Sequence, residues 1–481
     1  MVANRRLFTT FANECKLLYT AMKGSLKYLL TTICLFFTLV GFAQTSTHVW
    51  RSIHKVKKHE TIFAIAKDYG VTIEELLDAN PEMKKSGYEL KKGTWVFVPY
   101  VKKGDKDAAD KKQGREKLQA VKERPVLHNV IKVGFMLPIH RENSEGERMV
   151  EYYQGMRLAL DSLAKQGVNA ELYAWNVAKD SSIVKVLSDP RAYTLDVIFG
   201  PLYSEQLPAL SEFCKTHNIK LFVPFSIEGD EVKTNPEILQ VYQTPNELNK
   251  KMVLSFLERF QKSCHIVFVD CNESSDGKFV FTQALRQHLD ASKTRYSLTN
   301  LNTPLSSFAK QFSTKQPNVV VLNTAKSPQL NRAFAKLDSL KQSNSKIAIS
   351  MYGYNEWFMY EKYDLANFYK YNVYIPTTYY YNVVSDRNKA FERDFNARWG
   401  VALMPQWLPR IGLMGYDHTM YAIEGLSKYG KEFVGSEDQS TYRALQTPLK
   451  FKQVGVGGGY VNSVFQLIHF RPDQKLESMT Y

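Results

Sequence analysis

The fold of this chain is decided by a stretch of twelve residues, 195–206, whose sequence is LDVIFGPLYSEQ. Its first half is a short apolar run, typical of a fully buried strand. Gly200 and Pro201 end that strand, because glycine bends freely and proline cannot donate to a sheet hydrogen bond. We expect Ser204 to cap a helix whose apolar stripe is Leu207, Leu210, Phe213 and Cys214. Strand, turn and helix in this order predict an open α/β sheet, in which ligands bind after the carboxyl ends of the strands.

The size and charge of the chain set broad limits. Its 481 residues predict two or three domains. The formal net charge of +15 favours polyanionic partners, but a solvated basic surface accounts for it equally well. Beyond residue 43 the cysteines are Cys214, Cys264 and Cys271, and the last two bracket a predicted strand about 23 Å long. This separation exceeds disulfide reach, so we expect no disulfide framework.

The first 43 residues are typical of an export signal. Lys23 and Lys27 precede an uncharged run, 28–43, that ends in Gly-Phe-Ala. The pattern predicts a secretory signal peptide over 1–43 and places the protein in the periplasm or cell envelope. The run is shorter than the ~20 residues that span a bilayer, although an uncleaved anchor stays an alternative. Whether Met1 or Met22 is the start stays open.

Residues 51–100 form a compact unit with its own pattern. Residues 54–58 alternate like a short strand, and an apolar stripe over 62–69 predicts a helix that Gly70 closes. Thr72 and Glu75 then form a capping box for a second helix. Residues 95–99 form the returning strand, so the order is strand, helix, helix, strand.

This unit resembles the LysM domain over its whole length, at Val56, Thr61, Ile65, Ala66, Tyr69, Gly70, Val71, Leu76, Asn80, Pro81, Leu90, Gly93, Val96, Val98 and Pro99. That family binds chains containing N-acetylglucosamine, chiefly peptidoglycan, in a groove between the loop before the first helix and the loop after the second. The resemblance implies glycan contacts at Glu60, Thr61, Ile62, Ala79, Asn80 and Pro81. The alternative is that Thr61 only starts a helix and Asn80-Pro81 only ends one.

A charged segment, 101–129, separates this unit from the rest. It has few large apolar residues, cannot bury a core, and is predicted to be a linker. From 130 to 481 strands and helices alternate, which predicts a mostly parallel sheet. The length predicts two lobes, the second beginning near residue 247, and a C-terminal hairpin extension over 440–481. The predicted strands are 130–137, 170–175, 197–199, 220–223, 266–269, 319–322, 347–350 and 461–470, and the predicted helices include 152–163, 206–216, 247–261, 279–289, 327–340 and 419–426.

Four groups of residues give this region a family resemblance. They are Tyr153, Gly155, Leu158 and Ala159 in a helix, 196–201 at a strand end, Pro224-Phe225-Ser226 at the next strand end, and Gly415-Tyr416-Asp417. The region resembles the type 1 periplasmic binding proteins, the class of the branched-chain amino-acid receptors. The resemblance implies two lobes with a ligand between them, so the predicted fold class is α/β, a small β-α-α-β LysM module plus a two-lobed domain.

The same resemblance implies a set of residues at the cleft. Its members are Tyr203, Ser204, Phe225 and Ser226 from the first lobe and Tyr352, Tyr354, Asn355 and the run Tyr379, Tyr380 and Tyr381 from the second. Hydroxyls and amides near a helix start suit a carboxylate. Capping and turn formation are the alternative for the two serines, and core packing for the tyrosines. Asp417 is expected to cap its helix, and no acidic partner for an amino group is evident.

The sequence offers nothing that argues for catalysis. The glycine-rich run 455–460 is followed by a predicted strand rather than a helix, so we interpret it as a hairpin turn and not as a nucleotide loop. No nucleophile motif, metal-ligand spacing or Walker pattern is present. We expect no enzyme activity, no cofactor, no metal and no nucleic-acid partner.

These patterns together predict an exported, non-catalytic cell-wall protein. In this hypothesis the LysM unit binds peptidoglycan, and the two-lobed domain senses a small ligand or docks on an envelope protein. The alternative is an amino-acid or peptide receptor of an ABC importer. An enzyme acting on peptidoglycan is a third possibility, but it requires a catalytic constellation that the sequence lacks.

Overall fold

The structure is a computed structural model that describes residues 49–58, 60–85, 88–99, 130–225, 229–271 and 278–481. The predicted signal peptide, the predicted linker and Ser226 lie outside the described residues.

The N-terminal module has the predicted order of elements. They are β1 (Val49–Lys55), α1 (Ile62–Tyr69), α2 (Ile73–Asp78), a 3₁₀ turn (Pro81–Lys84) and β2 (Trp95–Pro99), and β1 pairs antiparallel with β2. Gly70 ends α1 at φ +66°, and both hydrogen bonds of the Thr72–Glu75 capping box are present, as predicted. The first strand ends at Lys55 rather than at residue 58, because the Lys57 N–H donates to the Glu60 carboxylate instead of to a strand.

The remaining chain forms two lobes. The first lobe contains β3 (Ile131–Leu137), α3 (Ser144–Lys165), β4 (Ala170–Asn176), α4 (Ile183–Leu187), β5 (Val197–Phe199), α5 (Leu207–His217), β6 (Lys220–Val223), β7 (Ile238–Gln240), α11 (Asp386–Trp399), α12 (Ile411–Tyr429), β13 (Phe451–Gln453) and β14 (Tyr460–Asn462). The second contains α6 (Pro245–Phe260), β8 (His265–Asp270), α7 (Lys278–Ala291), β9 (Tyr296–Asn300), α8 (Leu305–Ala309), β10 (Asn318–Leu322), α9 (Ser327–Ser343), β11 (Ile349–Tyr352), α10 (Glu361–Lys370), β12 (Val373–Thr377), β15 (Gln466–Phe470) and β16 (Leu476–Thr480). Short 3₁₀ turns cover Ala192–Thr194, Ser204–Gln206, Glu231–Lys233, Asn355–Tyr360, Gly430–Glu432 and Glu437–Gln439.

Each lobe has the same doubly wound sheet. The five parallel strands of the first lobe lie in the order β7-β6-β5-β3-β4, and those of the second in the order β12-β11-β10-β8-β9. Numbered within its lobe, each order is 2-1-3-4-5, whose topological switch point lies between the first and third strands. The predicted fold class, two mostly parallel α/β lobes preceded by a β-α-α-β module, is confirmed.

The chain crosses between the lobes three times, at 241–244, 378–385 and 463–465. The last crossing corrects the predicted strand 461–470. That segment contains two strands in different sheets, because β14 pairs with β7 of the first lobe and β15 pairs with β12 of the second. The glycine-rich run 455–459 is the turn of the β13–β14 hairpin, as predicted.

Two helices begin earlier than predicted. The helix predicted over 152–163 begins at Ser144, and its first N–H groups donate to the Asn143 side chain. Similarly, α12 begins at Ile411 rather than near residue 419. Asp417 therefore lies inside this helix, fully buried, and does not cap it.

The LysM-like module is docked on the first lobe. Its strand β1 pairs antiparallel with β4, so both modules share one nine-stranded sheet. In β2, Val96 and Val98 face the helices of the module, whereas Trp95 and Phe97 pack with the core of the first lobe. Lys55 Nζ donates to the carbonyls of Trp399 (3.1 Å) and Gly400 (2.8 Å) at the carboxyl end of α11, where a cation is favourable.

Candidate functional site

The candidate cleft site lies at the switch point of the first sheet. Strands β3 and β5 are neighbours here, and the chain leaves them in opposite directions, which opens a crevice at their carboxyl ends. The first turn of α3 and the loop after β5 meet at this point. The Tyr203 hydroxyl donates to the Glu145 carboxylate at 2.7 Å. Burial and the Glu145 carboxylate raise the pKa of Tyr203, so its hydroxyl stays a donor at neutral pH.

Three polar atoms around this contact are buried and have no hydrogen-bond partner among the described residues. They are Arg148 Nε, Gln206 Oε1 and His140 Nδ1. The Arg148 guanidinium lies 4.7 Å from the centre of the Trp407 ring, and Gln206 Nε2 donates to the Ala178 carbonyl. Because buried polar groups are normally paired, a cluster of three such atoms indicates a place where a polar ligand could bind.

Two residues of opposite charge, Glu145 and Arg148, lie in the first turns of α3. Glu145 can accept from an amino group, and Arg148 can donate to a carboxylate. No acidic partner is evident from the sequence, because the predicted helix 152–163 begins after Glu145 and leaves it outside any predicted element. The early helix signal, Asn143 followed by acidic residues in the first turn, could have placed Glu145 at the strand end.

The other predicted residues of the first lobe lie near this point. Ser204 is the first residue of the 3₁₀ turn that leads into α5. The N-cap positions of the turn and of α5 are Tyr203 and Gln206, so the predicted role of Ser204 as N-cap is wrong. The half-buried Phe225 ring packs at 5.3 Å from Tyr152.

Two predicted tyrosines of the second lobe are core residues. Tyr352 is fully buried, and its hydroxyl lies 3.0 Å from both Ser255 Oγ and the Met252 carbonyl. Burial raises its pKa. The buried Tyr354 hydroxyl donates to the Leu322 carbonyl at 2.5 Å. These positions differ from the predicted place in the cleft, because both rings fill the interior of the second lobe.

The remaining candidates of the second lobe lie nearer the crossing segments. Asn355 is partly exposed and begins a 3₁₀ turn after β11. The Tyr380 hydroxyl donates to Glu361 at 3.1 Å, and burial raises the pKa of Glu361 to about 7. Tyr381 donates to Glu392, and Tyr379 packs on Phe358. The tyrosine hydroxyls of 380 and 381 are thus already bound to carboxylates.

The predicted glycan residues divide into buried and exposed groups. Asn80 is fully buried and uses its side chain internally, donating to the Leu76 and Phe97 carbonyls and accepting from the Phe97 N–H at 2.8 Å. Ala79 is also buried. Neither side chain is available to a sugar in this arrangement.

Of the other four residues, Thr61 and Pro81 are exposed, whereas Glu60 and Ile62 are only partly exposed. Glu60 holds its loop through His54 (2.8 Å) and the Lys57 N–H. Although burial opposes it, these bonds lower the pKa of Glu60. Thr61 is exposed and caps α1 through the Ala64 N–H, and Pro81 is exposed at the other loop. Ile62 lies between buried and exposed.

The described ranges contain neither a cluster of metal-ligating side chains nor a membrane-spanning helix. No group of three or more His, Cys, Asp or Glu side chains there could hold a metal ion. Within the same ranges no helix is both long and apolar enough to cross a membrane. Cys214, Cys264 and Cys271 form no disulfide with one another, and the first and last are buried.

Comparisons with known proteins identify both modules. The family model for periplasmic binding proteins matches residues 191–462, more than half of the chain, and the model for the LysM domain matches residues 54–99. The chain therefore belongs to the periplasmic binding protein family and carries an N-terminal LysM domain. Both are families of binding domains. A search of the curated proteins found no match.

Solved structures with a similar chain were also found. A candidate branched-chain amino acid ABC transporter from Rhodospirillum rubrum is 14% identical, with 73% of this chain and 100% of that chain covered and a TM-score of 0.48. An ABC transporter substrate-binding protein from Desulfitobacterium hafniense in complex with Leu is 13% identical, with 73% and 100% covered and a TM-score of 0.38. A branched-chain amino acid transporter substrate-binding protein from Streptococcus pneumoniae, in complex with isoleucine, is 12% identical, with 73% and 100% covered and a TM-score of 0.37.

Proposed function

We propose that this chain is a non-catalytic binding protein of the cell envelope that is fixed to peptidoglycan. Its LysM domain holds glycan containing N-acetylglucosamine, and its two-lobed domain presents a small-ligand or docking site at the wall. Export by the predicted signal peptide belongs to this proposal.

The observation that carries the proposal is the docking of the LysM domain on the first lobe. Backbone pairing between β1 and β4, the Lys55 bonds to α11 and the packing of Trp95 on Trp399 at 5.9 Å join the two modules. A glycan bound to the LysM domain therefore lies at a fixed distance from the candidate site in the first lobe. Such coupling suits a protein that works at the wall better than one that travels to a permease.

Thr61→Asp is expected to weaken glycan binding about tenfold, the effect of disturbing one polar contact. Aspartate is as good an N-cap as threonine, so α1 keeps its hydrogen bond from Ala64. The substitution nevertheless adds a charge where the resemblance places an N-acetyl group. The measurement is the fraction of full chain that sediments with insoluble peptidoglycan.

Thr72→Asp is the matched control. Thr72 caps α2 in the same manner and lies at the opposite end of the module's helix pair, outside the predicted groove. If both variants sediment to the same extent as the unmodified protein, Thr61 does not contact the glycan. If the unmodified chain stays in solution, attachment to the wall is refuted.

A second candidate function, an amino-acid receptor of an importer, is favoured by the Glu145 and Arg148 charges at the switch point. In that case L-leucine raises the unfolding temperature of the full chain, and Glu145→Gln weakens its binding about tenfold. Glu142→Gln, at an exposed position before α3, is the control. If neither L-leucine nor any other free amino acid shifts the unfolding temperature, the result argues for docking on an envelope protein instead.

A further inference from the structure

A second pocket lies outside the interlobe cleft, on the helical face of the first lobe. Its volume is about 680 Å³, within the range of small-ligand sites. Three helices enclose it, and the segment 441–445 forms its rim. None of the predicted cleft residues and none of the residues around Glu145 belongs to its lining.

The pocket is built from one stripe of each helix. Leu158, Ser162 and Gln166 of α3 are spaced by one helical turn, as are Tyr416, Met420 and Glu424 of α12. The apolar part of the lining, which we call the floor, consists of Leu158, Ala390, Phe391, Met420 and Leu445. The Phe391 ring of α11 meets the Tyr416 ring edge-on at 5.0 Å. Such a floor accepts an apolar side chain.

The rim is held in place by a buried carboxylate. Asp417 accepts hydrogen bonds from the Tyr442 hydroxyl (2.7 Å) and from the N–H groups of Leu445 (2.8 Å), Gln446 (2.9 Å) and Thr447 (2.8 Å). The pocket is therefore formed before any ligand arrives, which lowers the entropic cost of binding.

Charged residues of both signs line the pocket, namely Arg387, Asp394, Glu424 and Arg443. Arg387 and Asp394 lie on the pocket face of α11, two turns and hence about 10 Å apart along the helix axis. Arg387 Nη2 donates to the Arg443 carbonyl at 2.6 Å, which keeps the guanidinium at the rim. Tyr416 contacts Phe391, which lies one helical turn from each of the two charged residues.

We propose that this pocket binds a short peptide of about three residues, with its terminal carboxylate at Arg387 and its terminal amino group at Asp394. An extended chain covers about 3.3–3.6 Å per residue, so three residues match the spacing of Arg387 and Asp394 along the helix axis. A free amino acid carries both charges on one carbon atom and cannot reach both side chains. The central side chain of the peptide packs on the apolar floor.

Calorimetric titration of the full chain with alanyl-leucyl-alanine tests this assignment. Arg387→Gln and Asp394→Asn should each weaken binding about tenfold or more, because each removes a charge-assisted hydrogen bond. The same peptide with an acetylated amino end and an amidated carboxyl end should bind the unmodified protein at least tenfold more weakly than the free peptide does. Arg393→Gln, an exposed position of α11 that does not line the pocket, should leave the affinity unchanged.

Several results would overturn the assignment. Absence of saturable heat with alanyl-leucyl-alanine up to its solubility is one, and equal affinity for free leucine or for the blocked peptide is another. Loss of peptide binding in Glu145→Gln would place the peptide in the interlobe cleft. Sedimentation with peptidoglycan is independent of all these outcomes, so the proposed wall attachment stands or falls separately.

Discussion

Asp417→Ala is expected to lower the free energy of unfolding by roughly 3–5 kcal/mol, the range for removing one partner of a buried charged contact. The Asp417 side chain is fully buried and accepts from one hydroxyl and three backbone N–H groups of the segment 442–447. Burial raises the pKa of this carboxyl, and the four donors oppose that rise. Alanine leaves the donors buried without an acceptor, at a cost of about 1–3 kcal/mol each where water cannot reach them. Denaturant-induced unfolding measures the loss.

A local measurement separates this mechanism from general damage. Hydrogen exchange of the amides of 445–447 should accelerate in Asp417→Ala before the rest of the first lobe loses protection. The exchange rate of these amides in Asp417→Asn should lie between the rates in the unmodified protein and in Asp417→Ala. The reason is that the amide keeps one acceptor oxygen and presents an NH₂ group to the other donors. Asp438→Ala removes an exposed carboxylate nearby and should not change unfolding. Unchanged exchange of 445–447 in Asp417→Ala would refute the role given to Asp417.

The parallel strands could be predicted from the sequence because their burial leaves a local signal. Residues 197–199 and 319–322 are continuous apolar runs, since helices cover both faces of these strands. Strand β9 was not predicted, because it is not fully buried and has no continuous apolar run. It lies at an edge of the second sheet, its residues are partly exposed, and polar and apolar side chains mix along it.

The hydrogen-bond partners in the candidate site could not be predicted, because they are distant in sequence. Tyr203 meets Glu145 across 58 residues, and Tyr352 meets Ser255 across 97. The sequence does not distinguish a tyrosine that binds a ligand from one that binds a core serine, because both can have similar neighbours in sequence. Asn80 illustrates this point at short range, since its side chain binds the backbone of Phe97 rather than a sugar.

The docking of the LysM domain is indicated by the apolar pattern of its last strand. Residues 95–98 are all apolar and all buried. A strand with one face on its own domain alternates apolar and polar residues, whereas a continuous apolar run requires cover on both faces. The helices of the module cover one face only, so the run already indicated a second partner, which is the first lobe.

The second large effect concerns the contact between α3 and α12. Gly155→Ala is expected to destabilise the first lobe by about 3 kcal/mol, at the upper end of the usual cost of overpacking. A Cβ atom at Gly155 would lie 1.8 Å from the Gly412 carbonyl oxygen, and one at Gly415 would lie 2.0 Å from the Tyr152 carbonyl oxygen. Backbone atoms of two helices cannot rotate away, so the helices must separate. Separation also strains the bond from the Gly412 N–H to the buried Glu151 carboxylate at 2.9 Å.

Gly425→Ala in α12 is the comparison that isolates backbone crowding. Both substitutions gain about 1 kcal/mol of helix propensity, so the difference between them reports the surroundings. A Cβ atom at Gly425 would lie 2.1 Å from the far edge of the Phe433 ring, a side chain that can shift. We therefore expect the smaller loss at Gly425, measured as the denaturant midpoint of each variant. Equal losses at Gly155 and Gly425 would show that the two helices can move apart as easily as one ring can turn. The close crossing of α3 and α12 would then not determine the positions of the helices that line the pocket.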